Sequence, residues 1–332
     1  MLLSGGIDAL KKRSPSPRAD AMLLLARVLE RERAWIAAHG DAVASAQESQ
    51  AFAELCKQRA TGVPIAYLLG EAEFYHRHFI VNEAVLVPRP ETEHLVDDAI
   101  GFIRGTMRVL DVGTGCGAIA CAIAAQTQAH VDGTDSSHAA IDIAKENARR
   151  LGLAGRCRFH HGNLIEPVRD ERFHVIVANL PYIPTDDLPK PPDPASFEPR
   201  GALDGGPDGL RLYRELLPQL PPLLDEDSLV LLEAAPPTIR ALAQMVRSSL
   251  PHFTISLVAD YAGLLRYVRA QSVPRGLRAA AAACESGRSQ EGEGPENRAP
   301  ASARGARQAS AAVARKPRRN ATRTGKRASP AN

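Results

Sequence analysis

"MRVLDVGTGCGAIACAIAAQ", residues 107–126, passes from an apolar run through three glycines into a string of small residues. The first part predicts a buried strand over 107–112, and the last part, bounded by glycine, predicts a helix over 117–126. Between them Gly113, Gly115 and Gly117 form a turn where the absence of side chains lets a ligand approach the backbone and the first amides of the helix. With Ala118 the run satisfies G-x-G-x-x-A as well as G-x-G-x-G, so a nicotinamide dinucleotide and S-adenosyl-L-methionine both remain open as ligands. Asp111 stands just before the glycines, where its carboxylate suits the cationic end of an amino-acid-bearing cofactor and would repel a pyrophosphate. Asp135 closes "HVDGTD" about two dozen residues on and suits ribose hydroxyls with either ligand.

The same alternation continues outward. A strand is expected at 129–134, a helix at 137–151, and strands at 156–160 and 173–179, the signature of a parallel sheet covered by helices on both faces. Later, "RLYRELLPQLPPLL" reads as a helix broken near its prolines, "SLVLLEA" as a strand, "PTIRALAQMVRSSL" as a helix and "HFTISLVADYAGLLRYVRAQ" as a pair of terminal strands. The sheet reaches about seven strands, within the usual range for its class.

"VIVANLPYIP", residues 175–184, ends a buried strand on the amide of Asn179 and turns through Pro181 and Tyr182. In an open parallel sheet, ligands bind beyond the carboxyl ends of the strands, which places Asn179 beside the glycine turn. Its side-chain oxygen and the Leu180 carbonyl are two acceptors able to hold an –NH₂ group and aim its lone pair at an electrophile, with Tyr182 as an aromatic wall. That arrangement suits methylation of a planar nitrogen, where catalysis is mainly alignment and exclusion of water. Asn and Pro are also ordinary punctuation after a strand.

Upstream, "ADAMLLLARVLERERAWIAAHGD" and "ESQAFAELCKQRA" carry helical spacing and read as a small helical unit cored by Met22, Leu23, Leu25, Val28, Leu29, Trp35 and Ile36. "EAEFYHRHFIVNEAVLVP" reads as a hairpin or extended connection, and its His76 and His78 as members of a half-exposed strand without metal partners. The expected organisation is therefore a helical unit at 1–70, a connection at 71–88, a catalytic α/β domain at 89–272 and a tail at 273–332.

The chain has 332 residues, 44% apolar content and a formal net charge of +3. Its five cysteines lack C-x-x-C pairing, which argues against a disulfide framework or a thiolate zinc site and for reduced thiols in a cytoplasmic protein. No run has signal-peptide or membrane-span character, so a soluble protein is expected. Beyond Ser272 the composition turns to Ala, Arg, Ser, Gly and Pro, with about thirteen basic residues against four acids. Disorder is expected there, with weak RNA or ribosome contact and a merely solvated extension both open.

Over roughly residues 18–270 the chain resembles bacterial peptide chain release factor glutamine N5-methyltransferases of the HemK/PrmC type. The likeness lies in "ADAMLLLARVL", "RATGVPIAYLLGEAEFY", "VLVPRPETEHLVD", "DVGTGCGAIA" and "FEPRGALDGGPDGLRLYREL". It implies a seven-stranded Rossmann-like methyltransferase domain behind a helical release-factor-docking domain, S-adenosyl-L-methionine as donor, and transfer to the glutamine amide of a Gly-Gly-Gln motif. It further implies that Asp111, Gly113, Thr114, Gly115, Cys116, Gly117, Asp135, Asn163, Leu164 and Asn179 bind the cofactor, and that Asn179, Leu180, Pro181 and Tyr182 hold the substrate amide.

Three departures stand out. Leu180 replaces the first proline of the family's Asn-Pro-Pro-Tyr, keeping the carbonyl but gaining a rotatable φ. "LLEAAPPTI" replaces a Glu-Ile-Gly segment; Glu233 is kept, and a local change toward the far end of the sheet is expected. Leu164 stands where an aromatic is common. Asn-Leu-Pro-Tyr also resembles the motif of ribosomal RNA adenine dimethyltransferases, which lack "VPRPETE", and a noncatalytic cofactor-binding relative is a third reading. "PRPETE" and "ALDGGPDG" also admit purely structural roles, as a rigid helix start and a turn-rich loop.

Overall fold

Five helices open the chain: α1 (Leu2–Leu10), α2 (Pro17–Leu29), α3 (Arg33–Ala38), α4 (Ala46–Ala60) and α5 (Ile65–Leu69). The computed structural model describes residues 2–39, 44–260 and 262–273, so the basic tail, apart from Val273, lies outside the described residues. Pro17 starts α2 at a position where its missing N–H costs nothing. Ser45 and Glu48 form a capping box at α4, with Ser45 N donating to Glu48 Oε2 at 2.6 Å and Glu48 N to Ser45 Oγ at 3.2 Å. The helices bury Leu10, Leu24, Leu25, Ile36 and Phe52 together, with Met22, Val28, Leu29 and Trp35 packed against them. Inside this apolar group lies an ion pair that the sequence pattern did not show: Arg59 Nε reaches Asp20 Oδ2 at 2.7 Å, and both side chains are buried.

A hairpin follows, β1 (Glu71–Phe74) against β2 (Arg77–Ile80), joined by Tyr75 and His76 at φ 49° and 58°. Two consecutive positive φ values give the turn a twist that matches the strands. His76 is therefore a turn residue rather than a strand residue, and the exposed His78 has an acidic neighbour, Glu71, at 3.2 Å.

The remainder is α6 (Glu93–Phe102), β3 (Arg108–Val112), α7 (Ala118–Gln126), β4 (His130–Asp135), α8 (His138–Arg150), β5 (Cys157–His161), β6 (Phe173–Ala178), α9 (Arg211–Leu216), β7 (Leu224–Glu233), α10 (Ile239–Ser249), β8 (Phe253–Ala259) and β9 (Leu265–Ser272). As the prolines imply, α9 gives way to two short 3₁₀ turns, Leu217–Gln219 and Pro221–Leu223. The sheet has seven strands in the order β5-β4-β3-β6-β7-β9-β8, parallel except where β9 pairs with β7 and β8.

Side chains alternate across it. Val109, Val131, Val175, Val177, Leu229 and Leu231 face one helical layer, while Leu110, Val112, Ile176, Val230 and Leu232 face the other. α7 is buried on nearly every side, which explains its uniform run of Ala, Ile and Cys. The chain leaves β3 toward β4 on one side and leaves β6 toward β7 on the other. The cleft between the carboxyl ends of β3 and β6 is thus the topological switch point of the sheet, where ligands bind in folds of this kind.

Candidate active site

β3 ends at Val112, and the chain turns at once through glycine. The amides of Gly113 and Thr114 both donate to Thr134 O at 2.9 Å, tying the turn to the end of β4. Gly113 has φ 74° and lies so close to the β6 loop that a Cβ there would come within 2.8 Å of Leu180 Cδ2. Gly115, at φ 55°, has no atom within 4 Å of where a Cβ would stand, so its bare backbone faces open space.

Gly117 serves a different purpose from the one expected. A Cβ on it would lie 3.0 Å from that of Ala144, so this glycine packs the start of α7 against α8 and lines neither cavity described below.

Asp111 also departs from expectation. Parity along β3 puts it on the α7 side, where it is fully buried and accepts from Thr114 Oγ1 at 2.7 Å and Ala120 N at 3.2 Å. Its carboxyl therefore sits beneath the turn and does not line the cavity where a cofactor's cationic end was expected to meet it. Burial pushes it up to about 7.

A cavity of about 180 Å³, open to solvent on one side, lies at this switch point. Gly113, Gly115, Thr134, Asp135, Asn163, Leu164, Asn179, Leu180 and Pro181 all lie on its wall. Asp135 accepts from Gly115 N at 2.9 Å and from Ser137 N at 2.8 Å, so it braces the turn while keeping further lone pairs, and burial raises its pKa. Leu164 is held at φ 47°, a strained value for a leucine, with its side chain buried. A second, smaller cavity shares Gly113, Gly115 and Asn179 with the first and adds Phe74, Arg89, Thr92, Thr114 and Cys116. Burial pushes the Cys116 thiol up to about 12, so it is no nucleophile.

Asn179 stands where the two cavities meet. Its Nδ2 donates to Thr92 Oγ1 at 3.1 Å, and both groups lie near enough to the Glu233 carboxylate to favour its charged form. This overturns the placement of Glu233 toward the far end of the sheet. β7 lies next to β6, so the last residue of β7 comes level with the residue just past β6. Burial pushes Glu233 up to about 7, although Thr92, Arg266 and Asn179 favour its charged form.

Tyr213, fully buried on α9, joins the two strand ends: its hydroxyl accepts from Leu180 N at 3.3 Å and donates to Glu233 O. Tyr182 lines neither cavity. Burial pushes it up to about 12, and Glu233, Arg89, Arg266 and Glu91 lie within electrostatic reach.

Two stretches with open structural readings turn out to frame the site. Arg89 of "PRPETE" donates to Glu198 of "FEPR" at 2.6 Å. "ALDGGPDG" lies along the Asn179 loop, with Ile183 N donating to Leu203 O at 3.0 Å and Gly205 N to Ile183 O at 2.8 Å. Its glycines are required there, because a Cβ on Gly205 would lie 2.7 Å from Pro181 O and one on Gly209 would lie 2.3 Å from Tyr182 O. Thr92, Glu233, Tyr213 and the Arg89–Glu198 pair were not singled out as site residues from sequence. The advance signal was the recurrence of the segments holding Arg89, Thr92, Glu198 and Tyr213, and of Glu233 alone within a changed segment, in the resembling family.

A glycine turn at the switch point of a seven-stranded sheet, with a polar amide on the neighbouring strand end, defines a Rossmann-like methyltransferase domain, and residues 94–187 match the methyltransferase small domain model. Residues 1–70 match the PrmC N-terminal domain model. The chain is 38% identical over 270 residues to the release factor glutamine methyltransferase of Rhodopirellula baltica, covering 79% of this chain and 91% of that protein. It is 43% identical over 219 residues to the protein of the same name from Xylella fastidiosa, covering 65% and 79%. A solved structure of a protein-(glutamine-N5) methyltransferase (release factor-specific) from Alicyclobacillus acidocaldarius is 30% identical, covers 59% of this chain and 100% of its own, and has a TM-score of 0.37. The chain belongs to the release factor glutamine methyltransferase family. Among the described residues, no helix is long and apolar enough to cross a membrane.

Proposed function

We infer that this chain transfers a methyl group from S-adenosyl-L-methionine to the side-chain amide nitrogen (N5) of the glutamine in the Gly-Gly-Gln motif of peptide chain release factors. The observation that carries this reading is Asn179, which lines both cavities and has its side-chain nitrogen engaged by Thr92 and Glu233.

The larger cavity fits the donor. The backbone of Gly115 is bare toward it, and the Asp135 carboxylate on its wall keeps lone pairs beyond the two amides it accepts from. A ligand with hydroxyl and ammonium donors suits such groups. Gly113, Gly115, Asp135, Asn163 and Leu164 would hold it, with Thr114 and Cys116 on the other side of the turn and Asp111 and Gly117 shaping the turn from behind. When bound, the donor supplies a methyl on a sulfonium that is already electrophilic.

What remains for the protein is alignment. Asn179 Oδ1 and the Leu180 carbonyl accept the two hydrogens of the substrate amide, which keeps its nitrogen electron-rich and its lone pair aimed at the methyl; as the N–C bond replaces the S–C bond, one of those hydrogens leaves as a proton to solvent. Pro181 has no N–H with which to compete for those acceptors. Tyr182 anchors the loop from outside through its carbonyl, packed on Gly209, rather than walling the amide. We assign 1–70 to docking of the release factor, 71–88 to the connection and 89–272 to catalysis.

Transfer of labelled methyl to a purified release factor, to its Gly-Gly-Gln→Gly-Gly-Ala variant and to ribosomal RNA tests the reading. Label on the wild-type factor alone supports it. Label on RNA would move the assignment to the adenine enzymes, and donor binding without transfer to any acceptor would favour a noncatalytic protein.

A further inference from the structure

We propose that Glu233 and Thr92 are positioning residues that fix which end of the Asn179 side-chain amide meets the substrate. The proposal rests on the glutamine reading above, but it concerns a requirement that reading leaves open. A primary amide is nearly symmetric in shape, and a half-turn about its last torsion exchanges oxygen for nitrogen. Only the oxygen can accept from a substrate –NH₂. With the nitrogen outward, donors would face donors.

Above about pH 7, where Glu233 is ionised, the hydrogens in this cluster settle the orientation by count. Glu233, when ionised, only accepts. Thr92 Oγ1 accepts from Asn179, which leaves its one hydroxyl hydrogen for the neighbouring Glu233 carboxylate, whose charged form Thr92 favours. Asn179 Nδ2 has two hydrogens, one for Thr92 Oγ1 and one for the Glu233 carboxylate. Every donor of the three side chains is used on the inner side, so Asn179 Oδ1 is the atom left for the cleft. A flipped amide would set its oxygen against a buried carboxylate and leave two hydrogens facing the substrate.

The device is held rigidly. Thr92 and Glu233 are both buried, and the Tyr213 hydroxyl links the Glu233 carbonyl to the Leu180 amide, keeping the ends of β6 and β7 in step. Neither Thr92 nor Glu233 is required to touch the reacting atoms.

The test uses the full chain. Glu233→Gln keeps the volume but replaces one inner acceptor with a donor, and Thr92→Val keeps the shape but removes the hydroxyl. Each is expected to lower kcat about 10²-fold, of the order seen when a single oriented hydrogen-bonding group is lost. Equilibrium affinity for S-adenosyl-L-methionine should change by less than about 2-fold, because the donor's own contacts survive. Thr92→Ser should recover most of the rate.

Asn179→Asp combined with Glu233→Gln should be faster than Asn179→Asp alone. A carboxylate at 179 needs no orienting, and the amide that Glu233→Gln introduces can donate to it. In substrate-free protein, NMR exchange of the Asn179 side-chain amide hydrogens, assigned by their loss in Asn179→Ala, should be slow in the wild type and fast in Glu233→Gln.

Unchanged kcat in folded Glu233→Gln and Thr92→Val, rate losses that follow donor affinity, or a double variant slower than Asn179→Asp would each overturn the proposal. If the wild type methylates no release factor, the glutamine reading fails instead. The exchange measurement still decides the orientation, with equal exchange in wild type and Glu233→Gln counting against it.

Discussion

Glu198 accepts from Arg89 at 2.6 Å across 109 residues of sequence, and the loop it anchors supplies Pro199, Gly201 and Ala202 to the wall of the larger cavity. Its carboxyl is buried while the arginine keeps partial contact with water. Arg89→Ala would strand a buried acid, whose pKa burial already raises despite the arginine. After allowance for solvent screening of the exposed partner, a loss of about 1–3 kcal/mol is expected. Chemical denaturation and donor-binding calorimetry should show lower stability together with a donor affinity weakened several-fold, whereas Glu198→Gln, which keeps an acceptor, should be milder in both.

Gly209 combines φ 75° with a Cβ position 2.3 Å from the Tyr182 carbonyl oxygen. Gly209→Ala cannot be accommodated by moving a flexible side chain, because the obstacle is backbone. The Leu180–Tyr182 segment must shift, and kcat for the release factor should drop at least about 10-fold, the scale expected when reacting groups are misplaced by a fraction of an ångström. Donor affinity should fall less than kcat, since Leu180 and Pro181 are only part of a donor wall that Gly115 and Asp135 also form. A loss confined to donor affinity would show that this loop supports the wrong side of the site.

The parts of this architecture legible in the sequence were those written locally. The strand, glycine turn and helix over 107–126 and the alternation after it depend on neighbours a few residues apart, and Asn179 was conspicuous because it ends an apolar strand. Glu233 was misplaced because its importance depends on β7 pairing with β6 in a register that brings the two strand ends level, which no local pattern encodes. The Arg89–Glu198 and Asp20–Arg59 pairs are hidden for the same reason. Asp111 is different: counting by twos from Val109 puts it on the same face as that buried valine, so its burial beneath a helical layer was available from strand parity.

Asp111 and Glu233 both have pKa values pushed up to about 7 by burial, from ordinary values of 3.8 and 4.5. A raised carboxyl pKa means that the folded state binds its proton more tightly than the unfolded state. Their contribution to stability is therefore full below about pH 4 and is lost as pH rises through about 7. Donor-free protein should accordingly unfold at lower denaturant at pH 8 than at pH 5, and Asp111→Asn should flatten that dependence. A midpoint that rises over this interval would show that other groups dominate.

The Asp20–Arg59 pair stands among apolar side chains, with the Ser14 and Ser16 hydroxyls also donating to Asp20. Removing one partner leaves an uncompensated buried charge, so Asp20→Ala or Arg59→Ala should destabilise the helical unit by about 3–5 kcal/mol. The double change Asp20→Leu, Arg59→Met removes both charges and should cost clearly less than either single change. Limited proteolysis within residues 1–70 and denaturant titration report the difference, and additivity of the single effects would argue against the pair acting as a unit.

Leu180 occupies the position of the first proline in the resembling family's motif, and the structure shows what the leucine does. Its N–H donates to the Tyr213 hydroxyl at 3.3 Å, and its side chain is buried against the Gly113 turn. Leu180→Pro would remove that hydrogen bond and leave part of the leucine's volume unfilled, while fixing φ at 180 and favouring the extended backbone that Asn179 needs at the end of a strand. The carbonyl at 180 is kept. Stability should therefore fall by about 1–3 kcal/mol from the cavity and the lost N–H, while kcat stays within about 3-fold of wild type, because alignment depends on the carbonyl and on Asn179. Thermal denaturation and single-turnover methyl transfer separate the two effects. A collapse of kcat with stability intact would mean that the leucine side chain itself shapes the path between the two cavities.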